Sequence, residues 1–439
     1  MSGSPLVLQP GNGDNISEVI LLSHPTANQN VRQAALALAE AGLLEEFWTC
    51  INWQQGGFLD RFSGYSPRLQ KELRRRSFPA ELTPFIRTHP LREWGRHFTA
   101  RLGLGQLMRN EGDAFGMDSV YFSLDRRVAR RLSSCRTLKA VYAYDNGALQ
   151  TFRAAKKLGL KCIYEHPVVY WRKVREYQQE EAELNPAWAP TLGALRDSDE
   201  KLAQKDEELA MADVVITPSL FSKESLAHAP GLSARIEIVP YGAPPLGQEV
   251  APNDSGRLRV LFVGSLSQAK GLGYLLEAAA SLDRQIDLTL VGQRVSALIP
   301  RQTDLDRHRW IPSLPHTDLV MEMSRQDVLV LPSLHEGLPL VIPEAMAQGL
   351  TVIATPHAAG PSLIDDGVDG FIVPIRSAPA IAEKLELLLR DPARLHEMRA
   401  AARRKAAAMT WETYRQRLAE VAREVVPPPV KEITHGKSG

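Results

Sequence analysis

Cysteine is scarce in this 439-residue sequence, and its spacing excludes two kinds of site. Cys50, Cys135 and Cys162 lie far apart and form no CxxC pair, so neither a thiolate zinc site nor a disulfide framework is indicated. The sequence also has no run of about eighteen apolar residues and no basic N-terminal stretch that leads into an apolar one. We therefore expect a cytoplasmic protein in a reducing compartment, whose contact with a membrane, if it has one, is peripheral.

Net charge is nearly absent, because 52 Lys and Arg residues are balanced by 51 Asp and Glu residues. This balance gives no support to nucleic acid as a partner. Residues 61–139 depart from it, with 17 basic and 7 acidic side chains. Such a segment is either a solvated, arginine-rich face or a surface for an anionic membrane or acceptor, and the sequence leaves both interpretations open.

Two phosphate-binding patterns are missing as well. No GxGxxG follows a predicted strand, and no GxxxxGK followed by Ser or Thr occurs in the chain. Dinucleotide-dependent oxidoreductases and P-loop nucleotide hydrolases therefore lose their usual sequence support.

Short apolar runs rich in β-branched residues alternate with helical stretches along the chain. Strands that are buried on both faces and separated by helices are typical of a parallel sheet, so we predict an α/β fold with doubly wound sheets. The predicted strands cover residues 18–23, 140–144, 161–165, 213–219, 257–265, 287–292, 327–333 and 350–355.

A break in this pattern predicts two domains. Pro, Gly, Asn and Asp crowd residues 241–256, and a fresh strand begins at Arg257. Each side of the break has the strand and helix order of a Rossmann-like sheet. The predicted segments are an N-terminal domain at 1–245, a C-terminal domain at 246–410, a last helix at 411–426 and a disordered tail at 427–439.

The stretch SLHEGLPLVIPEAMAQG, residues 333–349, places two glutamates in an otherwise apolar junction. A strand is predicted to end just before it, and a helix to begin near Pro343, whose fixed φ suits a first helical turn. Ligands bind at such strand ends, where helix N–H groups suit phosphate and carboxylates accept hydroxyls. Alternatively, Glu344 only complements the helix dipole and Glu336 is solvated, and spacing alone does not decide between these interpretations.

The same stretch resembles the EX7E signature of the retaining glycosyltransferases of family 4. The resemblance extends over residues 197–414, through KDEELAMADVVITPSLFSKESL, FVGSLSQAKGLGYLLEA, DLTLVG and IDDGVDGFIVP. It implies the GT-B architecture, in which two Rossmann-like domains face a cleft and a C-terminal helix crosses back to the N-terminal domain. It further implies an acceptor site on the N-terminal domain and a nucleotide-diphosphate sugar on the C-terminal domain.

The resemblance also implies roles for individual residues of the C-terminal domain. Glu336 matches the glutamate that contacts the transferred sugar, and Glu344 matches the one that accepts from ribose hydroxyls. Backbone amides around Gly337 and Leu338 are then expected to hold the diphosphate.

Lys270, in SQAKG, matches the family lysine that neutralises the departing diphosphate, a role worth most as charge develops. Its alternative is an exposed lysine in a turn. Gly264 precedes this segment as part of the donor site, but Ser265 follows it where many relatives have Arg, so one of the two usual diphosphate cations is missing.

In the N-terminal domain, His166 follows the strand KCIYE where the family often has a histidine near the reacting centre. A structural histidine is the alternative. Asp145 and Asn146 follow another strand and are expected to line the cleft, although a turn in which Asn146 caps the next helix explains them as well.

The first predicted strand leads into SHPTANQN, not the Gly-Gly loop common in relatives. His24, Asn28 and Asn30 are candidates for contact with acceptor hydroxyls. Capping of the following helix is an equally simple explanation of either asparagine.

The function that the resemblance implies is retaining transfer of a hexose-like sugar (an EC 2.4 activity) from a nucleotide sugar such as a UDP-sugar to a glycan, a lipid-linked acceptor or a small hydroxyl compound. We expect a front-face route in which the leaving diphosphate takes the acceptor proton, with no cofactor and no metal. A phosphorylase with the same fold and a sugar-nucleotide sensor without activity remain alternatives. The donor base, the sugar and the acceptor do not follow from these motifs.

Overall fold

A computed structural model of the chain describes residues 19–57, 73–103, 105–108, 111–247, 256–295, 300 and 302–426. The tail expected to be disordered, 427–439, lies outside these residues, as does part of the basic segment.

The N-terminal half folds around one sheet whose seven strands, within the described residues, all pair in parallel. Its strand order is β3-β2-β1-β4-β5-β6-β7. The central strands are apolar and fully buried, because helices cover both faces. The strands are β1 (Val19–Ser23), β2 (Leu44–Thr49), β3 (Ile86–Thr88), β4 (Leu138–Tyr144), β5 (Lys161–Glu165), β6 (Val214–Thr217) and β7 (Arg235–Ile238).

The C-terminal half folds around a second parallel sheet, with six strands in the part of the chain that is described. The order β10-β9-β8-β11-β12-β13 makes β8 and β11 neighbours, so the loops that follow these two strands lie side by side. The strands are β8 (Leu258–Val263), β9 (Ile286–Val291), β10 (Arg309–Ile311), β11 (Val328–Leu331), β12 (Thr351–Ala354) and β13 (Gly370–Ile372).

Helices alternate with the strands in both halves. In the N-terminal half they are α1 (Gln29–Glu40), α2 (Leu91–Arg101), α3 (Met117–Leu132), α4 (Leu149–Lys157), α5 (Trp171–Leu184), α6 (Asp199–Met211) and α7 (Leu220–Ser225). In the C-terminal half they are α8 (Leu272–Leu282), α9 (Gln302–Leu305), α10 (His316–Met323), α11 (Val341–Ala347), α12 (Gly360–Leu363), α13 (Ala378–Arg390), α14 (Pro392–Ala408) and α15 (Trp411–Val425).

All eight predicted strands are present, and five others were missed. Four of these, β3, β7, β10 and β13, are the edge strands of the two sheets and have only three or four residues each. The fifth, β2, carries Glu46, which is buried but held at 2.8 Å by Arg131 of α3. A carboxylate with a distant partner breaks the apolar pattern by which strands were predicted.

Helix α15 crosses back onto the N-terminal half, which confirms the predicted architecture of two facing domains joined by a returning helix. Arg415 in α15 donates to Glu40 of α1 at 2.9 Å, and Arg417 donates to Glu237 of β7 at 2.9 Å. Trp411 stacks on Tyr241 with ring centroids 6.0 Å apart.

Helix α5 also joins the two halves. Its Glu181 is fully buried and accepts from Gln268 at 2.7 Å, Tyr274 at 2.8 Å and Arg376 at 2.8 Å. These three donors belong to the C-terminal half. The Glu181 carboxylate and its donors therefore form a polar latch, called here the Glu181 latch, that holds the halves together.

Candidate functional site

Lys270 and Glu336 come together at the carboxyl edge of the second sheet. Lys270 follows β8, Glu336 follows β11, and their charged groups are in direct contact, with Ser333 donating to the same carboxylate oxygen at 3.0 Å. The turn that positions Lys270 requires glycine at 271, where φ is 72° and a Cβ would lie 2.1 Å from the Pro332 carbonyl oxygen. Two neighbouring loops thus present a cation and an anion at one point.

A cavity of about 300 Å³, called here the Lys270 cavity, opens beside this pair between the two halves. It is lined by Lys270, His335, Glu336 and Gly337 from the C-terminal half and by Asp145, Trp171 and Lys205, among others, from the N-terminal half. Burial lowers the pKa of His335 to about 4, so this imidazole is neutral at pH 7. Its Nε2 lies 3.0 Å from Gln178 Nε2 of α5.

A second cavity of about 410 Å³, called here the Tyr241 cavity, opens on the N-terminal side. It brings together all of the residues expected on the acceptor side. Asp145, Val168 and Lys205 line both cavities, so the two spaces meet along this seam. Its lining includes His24, Asn28, Asn30, Met117, Tyr121, Tyr144, Asp145, Asn146, Lys201, Lys205, Tyr241 and Leu338.

Asp145 at this seam is ionised and already partnered. Lys205 Nζ lies 2.9 Å from its carboxylate, and the Tyr164 hydroxyl donates to it at 2.9 Å. Burial raises the pKa of Asp145, but the charges of Lys205 and His166 more than offset this effect and leave the pKa well below its ordinary range. The carboxylate is therefore held in place by donors on two sides.

His166 lies behind the seam, at the end of β5, and is 2% exposed. Its Nδ1 is 3.7 Å from Asp145, and neither ring nitrogen has a hydrogen-bond partner among the described residues. The ring stacks on Tyr164, with centroids 6.1 Å apart. The side chain approaches Asp145 and does not line either cavity in this arrangement, so a reacting-centre role for His166 stays a prediction.

The interpretation of Asn146 as a helix cap is wrong. Its backbone is left-handed, with φ 67°, and its side-chain amide donates to Asp118 at 2.8 Å. Helix α4 starts three residues later, and two distant carboxylates, Asp125 and Glu208, accept from its first N–H groups at 2.7–3.1 Å. With the capping accomplished elsewhere, Asn146 is left beside the cavity.

The two N-terminal asparagines behave differently from each other. Asn28 occupies the cap position of α1 but makes no capping hydrogen bond with its side chain, which is exposed to the cavity. Asn30 lies within the first turn and donates to the Tyr241 hydroxyl at 3.3 Å. His24 is buried edge-on against Tyr144 at 4.6 Å, and burial lowers its pKa to about 4.

Glu344 lies apart from Glu336. It contacts His316 Nε2 of α10 at 2.9 Å, and it is not among the residues that line the two cavities. Helix α11 begins at Val341, two residues before Pro343, so Pro343 is the third residue of the helix and still lies in its first turn. The predicted ribose contact of Glu344 is therefore neither supported nor opposed by the cavities.

The other predicted donor residues surround Lys270. Gly264 lies beside the Lys270 side chain, since a Cβ there would be 3.7 Å from its methylene carbons. Ser265 Oγ is 3.3 Å from Ser267 Oγ, and Leu338 is buried. Gly337 packs so closely that a Cβ would lie 2.0 Å from the Pro167 carbonyl oxygen of the N-terminal half.

Sequence reasoning missed the aromatic and basic lining of the site. Tyr121 comes from a long amphipathic helix, and Lys205 from a charged one, where neither stands out by spacing. His335 adjoins the glutamate of the signature but carries no signature of its own. Among the lining residues that were missed, Tyr144 could have been found from the sequence, because it ends a predicted strand whose carboxyl edge faces the cleft.

Glu165 lies beneath the Tyr241 cavity and makes stability depend on pH. It is fully buried, and it accepts from the Tyr142 hydroxyl and from the Tyr241 hydroxyl, the latter at 3.2 Å. Burial raises its pKa from 4.5 to about 7. The folded state therefore binds more protons than the unfolded state between these values, so its stabilising contribution is complete below pH 4.5 and is lost as pH rises through 7.

We expect the Glu165→Gln variant to lose less stability than the wild type between pH 5 and pH 8. Between these pH values the free energy of unfolding should fall by about 2 to 3 kcal/mol more in the wild type than in the variant, because only the wild type has the Glu165 carboxyl group. Urea denaturation at both pH values measures it, with Glu237→Gln as a control for a partly exposed, ion-paired glutamate. Parallel wild-type and Glu165→Gln curves would contradict the assignment.

The C-terminal half matches a known family. Residues 248–405 match the family model described as glycosyl transferases group 1. The amylovoran biosynthesis glycosyltransferase AmsK of Erwinia amylovora is 32% identical over 163 residues, which cover 34% of this chain and 40% of AmsK. The D-inositol 3-phosphate glycosyltransferase of Nocardia farcinica is 29% identical over 230 residues, which cover 46% and 51% of the two chains. The chain thus spans about half or less of the length of these curated relatives.

Solved structures match nearly the whole chain. Sucrose-phosphate synthase from Thermosynechococcus elongatus has a TM-score of 0.63 at 19% identity, over 93% of this chain and 99% of its own. HepE of Anabaena, solved in complex with UDP, has a TM-score of 0.60 at 14% identity, over 93% and 100%. Identities this low establish the fold alone, which is GT-B. The match to the glycosyl transferases group 1 model is confined to residues 248–405.

Proposed function

We propose that this protein is a retaining glycosyltransferase that moves a sugar from a nucleotide-diphosphate sugar to an acceptor hydroxyl. The observation that carries the proposal is the contact of Lys270 with Glu336 in a cavity that opens directly into the aromatic Tyr241 cavity. The family match supports the reaction class, and the binding of UDP by the structural neighbour HepE supports a nucleotide donor.

On the donor side, the Lys270 ammonium would neutralise the diphosphate, and Glu336 would accept from hydroxyls of the transferred sugar. Backbone amides at Gly337 and Leu338 would complete the diphosphate site. Since Ser265 provides no positive charge, Lys270 would carry more of this neutralisation alone. Glu344 would accept from the ribose hydroxyls after turning away from His316.

The state of Asp145 supports one route of transfer. Lys205 and Tyr164 hold the carboxylate of Asp145, so it is a poor nucleophile towards the sugar. We infer a front-face displacement. The bond from the sugar C1 to the diphosphate oxygen breaks, the bond from C1 to the acceptor oxygen forms on the same face, and a diphosphate oxygen takes the acceptor proton.

The Tyr241 cavity suits a neutral sugar as acceptor. Its wall carries three tyrosines, Tyr121, Tyr144 and Tyr241, and amide side chains that can meet ring faces and hydroxyls. Its two lysines are already neutralised, Lys201 by Asp197 at 2.8 Å and Lys205 by Asp145. A phosphorylated acceptor would have to displace one of these carboxylates, and breaking a partly buried ion pair is costly.

A thermal-shift panel tests the donor site and identifies the base. UDP, GDP, ADP, TDP and their sugar conjugates are added to wild type and to Glu344→Ala. A ligand that binds only the folded state stabilises it by about 2.7 kcal/mol at a hundredfold excess over Kd. We expect one nucleotide to raise the Tm of wild type but not of Glu344→Ala.

Glu237→Ala is the matched control, because Glu237 is 19% exposed and ion-paired, against 17% for Glu344, and lies away from both cavities. It should respond to the nucleotide as wild type does. If no nucleotide shifts the Tm of wild type, the donor site is wrong.

Turnover assays then distinguish a transferase from a phosphorylase and from a sensor without activity. Transfer to neutral glycosides but not to sugar phosphates supports the proposed acceptor class. Phosphate-dependent release of a sugar phosphate would indicate a phosphorylase, and binding without turnover would indicate a sensor. No group of three or more His, Cys, Asp or Glu able to hold a metal occurs in the described ranges. Metal-independent transfer stays a prediction, and loss of turnover with EDTA would count against it.

A further inference from the structure

Helix α2 exposes a row of large apolar side chains. Leu91 is 74% exposed, Phe98 54% and Leu102, just after the helix, 71%. They are spaced seven and four residues apart, so they lie along one face of the helix. Soluble domains rarely leave such a row uncovered, and an exposed row of this kind marks an interaction surface.

The segment that follows α2 exposes two more large apolar side chains. Leu107 is 45% exposed and Met117 42%. The segment is held to α2 by Arg92, which donates to the Ala114 carbonyl at 2.7 Å, and by Phe115, whose ring lies so close to Gly95 that a Cβ there would be 2.0 Å from it. This segment therefore packs on α2, and the exposed apolar side chains of the helix and of the segment are called here the Leu91 surface; they are Leu91, Phe98, Leu102, Leu107 and Met117.

The charge around this surface is positive. The described residues between 73 and 139 include 13 Lys or Arg and 6 Asp or Glu. Two of these acids, Glu93 and Asp125, are buried, and Glu93 is held by Arg76 at 2.5 Å. The basic side chains of this segment still outnumber the acidic ones by seven, and long arginine side chains can reach anionic groups while apolar neighbours insert.

We propose that the Leu91 surface docks onto an anionic lipid bilayer. Its apolar side chains would enter the boundary between headgroups and acyl chains, while the surrounding arginines would meet anionic headgroups. Within the described part of the chain no helix is long and apolar enough to cross a bilayer. The excess of positive charge selects an anionic membrane over a neutral one.

Docking would also place the acceptor cavity at the membrane. Met117 belongs both to the Leu91 surface and to the lining of the Tyr241 cavity. An acceptor sugar attached to a lipid could then enter the cavity without leaving the bilayer. This second step rests on the proposed function, whereas the docking itself does not.

Vesicle co-sedimentation tests the docking. Wild type is mixed with vesicles of phosphatidylcholine alone and with vesicles that also contain phosphatidylglycerol, at low and high salt. We expect binding to the anionic vesicles only, weakened by salt because exposed charges are screened. The double variant F98S and L102S should bind at least about tenfold more weakly, since two inserted side chains are lost.

The matched control is the double variant L158S and L184S, which changes two leucines of the same half that are 49% and 59% exposed. It should bind as wild type does. Equal binding to both vesicle types, or equal losses in both double variants, would overturn the proposal. So would a self-associated wild type that the F98S and L102S variant converts to monomer, because the surface would then be a protein interface.

The nucleotide panel keeps this test separate from the proposed function. The F98S and L102S variant should retain the nucleotide-induced rise in Tm. Vesicle binding without any nucleotide response would leave the docking intact and refute the donor site. A nucleotide response without vesicle binding would support the donor site and refute the docking.

Discussion

Lys270→Ala lowers kcat by about a hundred- to a thousandfold if Lys270 stabilises the departing diphosphate, the usual loss when one group facing a developing oxyanion is removed. The ammonium meets the Glu336 carboxylate in the structure and would gain most from the charge that appears only as the glycosidic bond breaks. KM should therefore change much less than kcat. Initial rates across donor concentrations, with the nucleotide identified by thermal shift, separate the two constants.

Lys384→Ala is the control for this prediction. Lys384 lies in the same half, its side chain is 27% exposed as that of Lys270 is, and it too pairs with a glutamate. It should leave kcat unchanged. A Lys270→Ala enzyme with less than about a threefold loss of kcat would remove the lysine from the reaction and leave it as a simple ion-pair partner.

Glu181→Gln should lower the free energy of unfolding by about 3 kcal/mol or more, the usual cost of breaking a buried ion pair by removing one partner. The substitution keeps the shape of the side chain but removes the charge that Arg376 approaches at 2.8 Å. It also weakens the Glu181 latch between the halves. Urea denaturation should show a lower midpoint and, because the halves are less tightly joined, a broader or two-step transition.

Glu180→Gln provides an unusually close comparison, because Glu180 pairs with the same arginine at 2.8 Å but is 54% exposed. An exposed pair contributes at most about 1 kcal/mol, so its loss should be small. If the two variants lose the same free energy of unfolding, the buried charge of Glu181 contributes no more to joining the halves than the exposed charge of Glu180.

The parts of this molecule that the sequence predicted depend on local pattern. The buried strands β1, β4 and β8 are apolar runs in the sequence, and the turn holding Lys270 carries Gly271, which its geometry requires. Short edge strands escaped because one side of them is solvated and the apolar run is brief. The role predicted for Glu336 came from a resemblance to a family signature, not from spacing alone.

The remainder of the site depends on pairs of residues that are distant in sequence. Asp145 meets Lys205 across 60 residues, and Glu181 meets Arg376 across 195. No single sequence reveals such partners, because each side chain alone is typical of a solvated helix or turn. Asn146 illustrates the consequence: its local pattern allowed a cap as the alternative to a place in the cleft, whereas carboxylates from α3 and α6 supply the capping.

The contact of Gly337 with Pro167 gives the cleft a mechanical property. The backbone that follows Glu336 rests on the backbone that follows His166, with no room for a methyl group between them. Any opening of the cleft must therefore separate the loop that carries Glu336 from its support on the opposite domain. Coupling of this kind is reciprocal. An acceptor that spreads the domains would weaken the binding of the donor, and the donor would weaken the binding of that acceptor by the same factor. The two substrates would then report on each other through a single backbone contact.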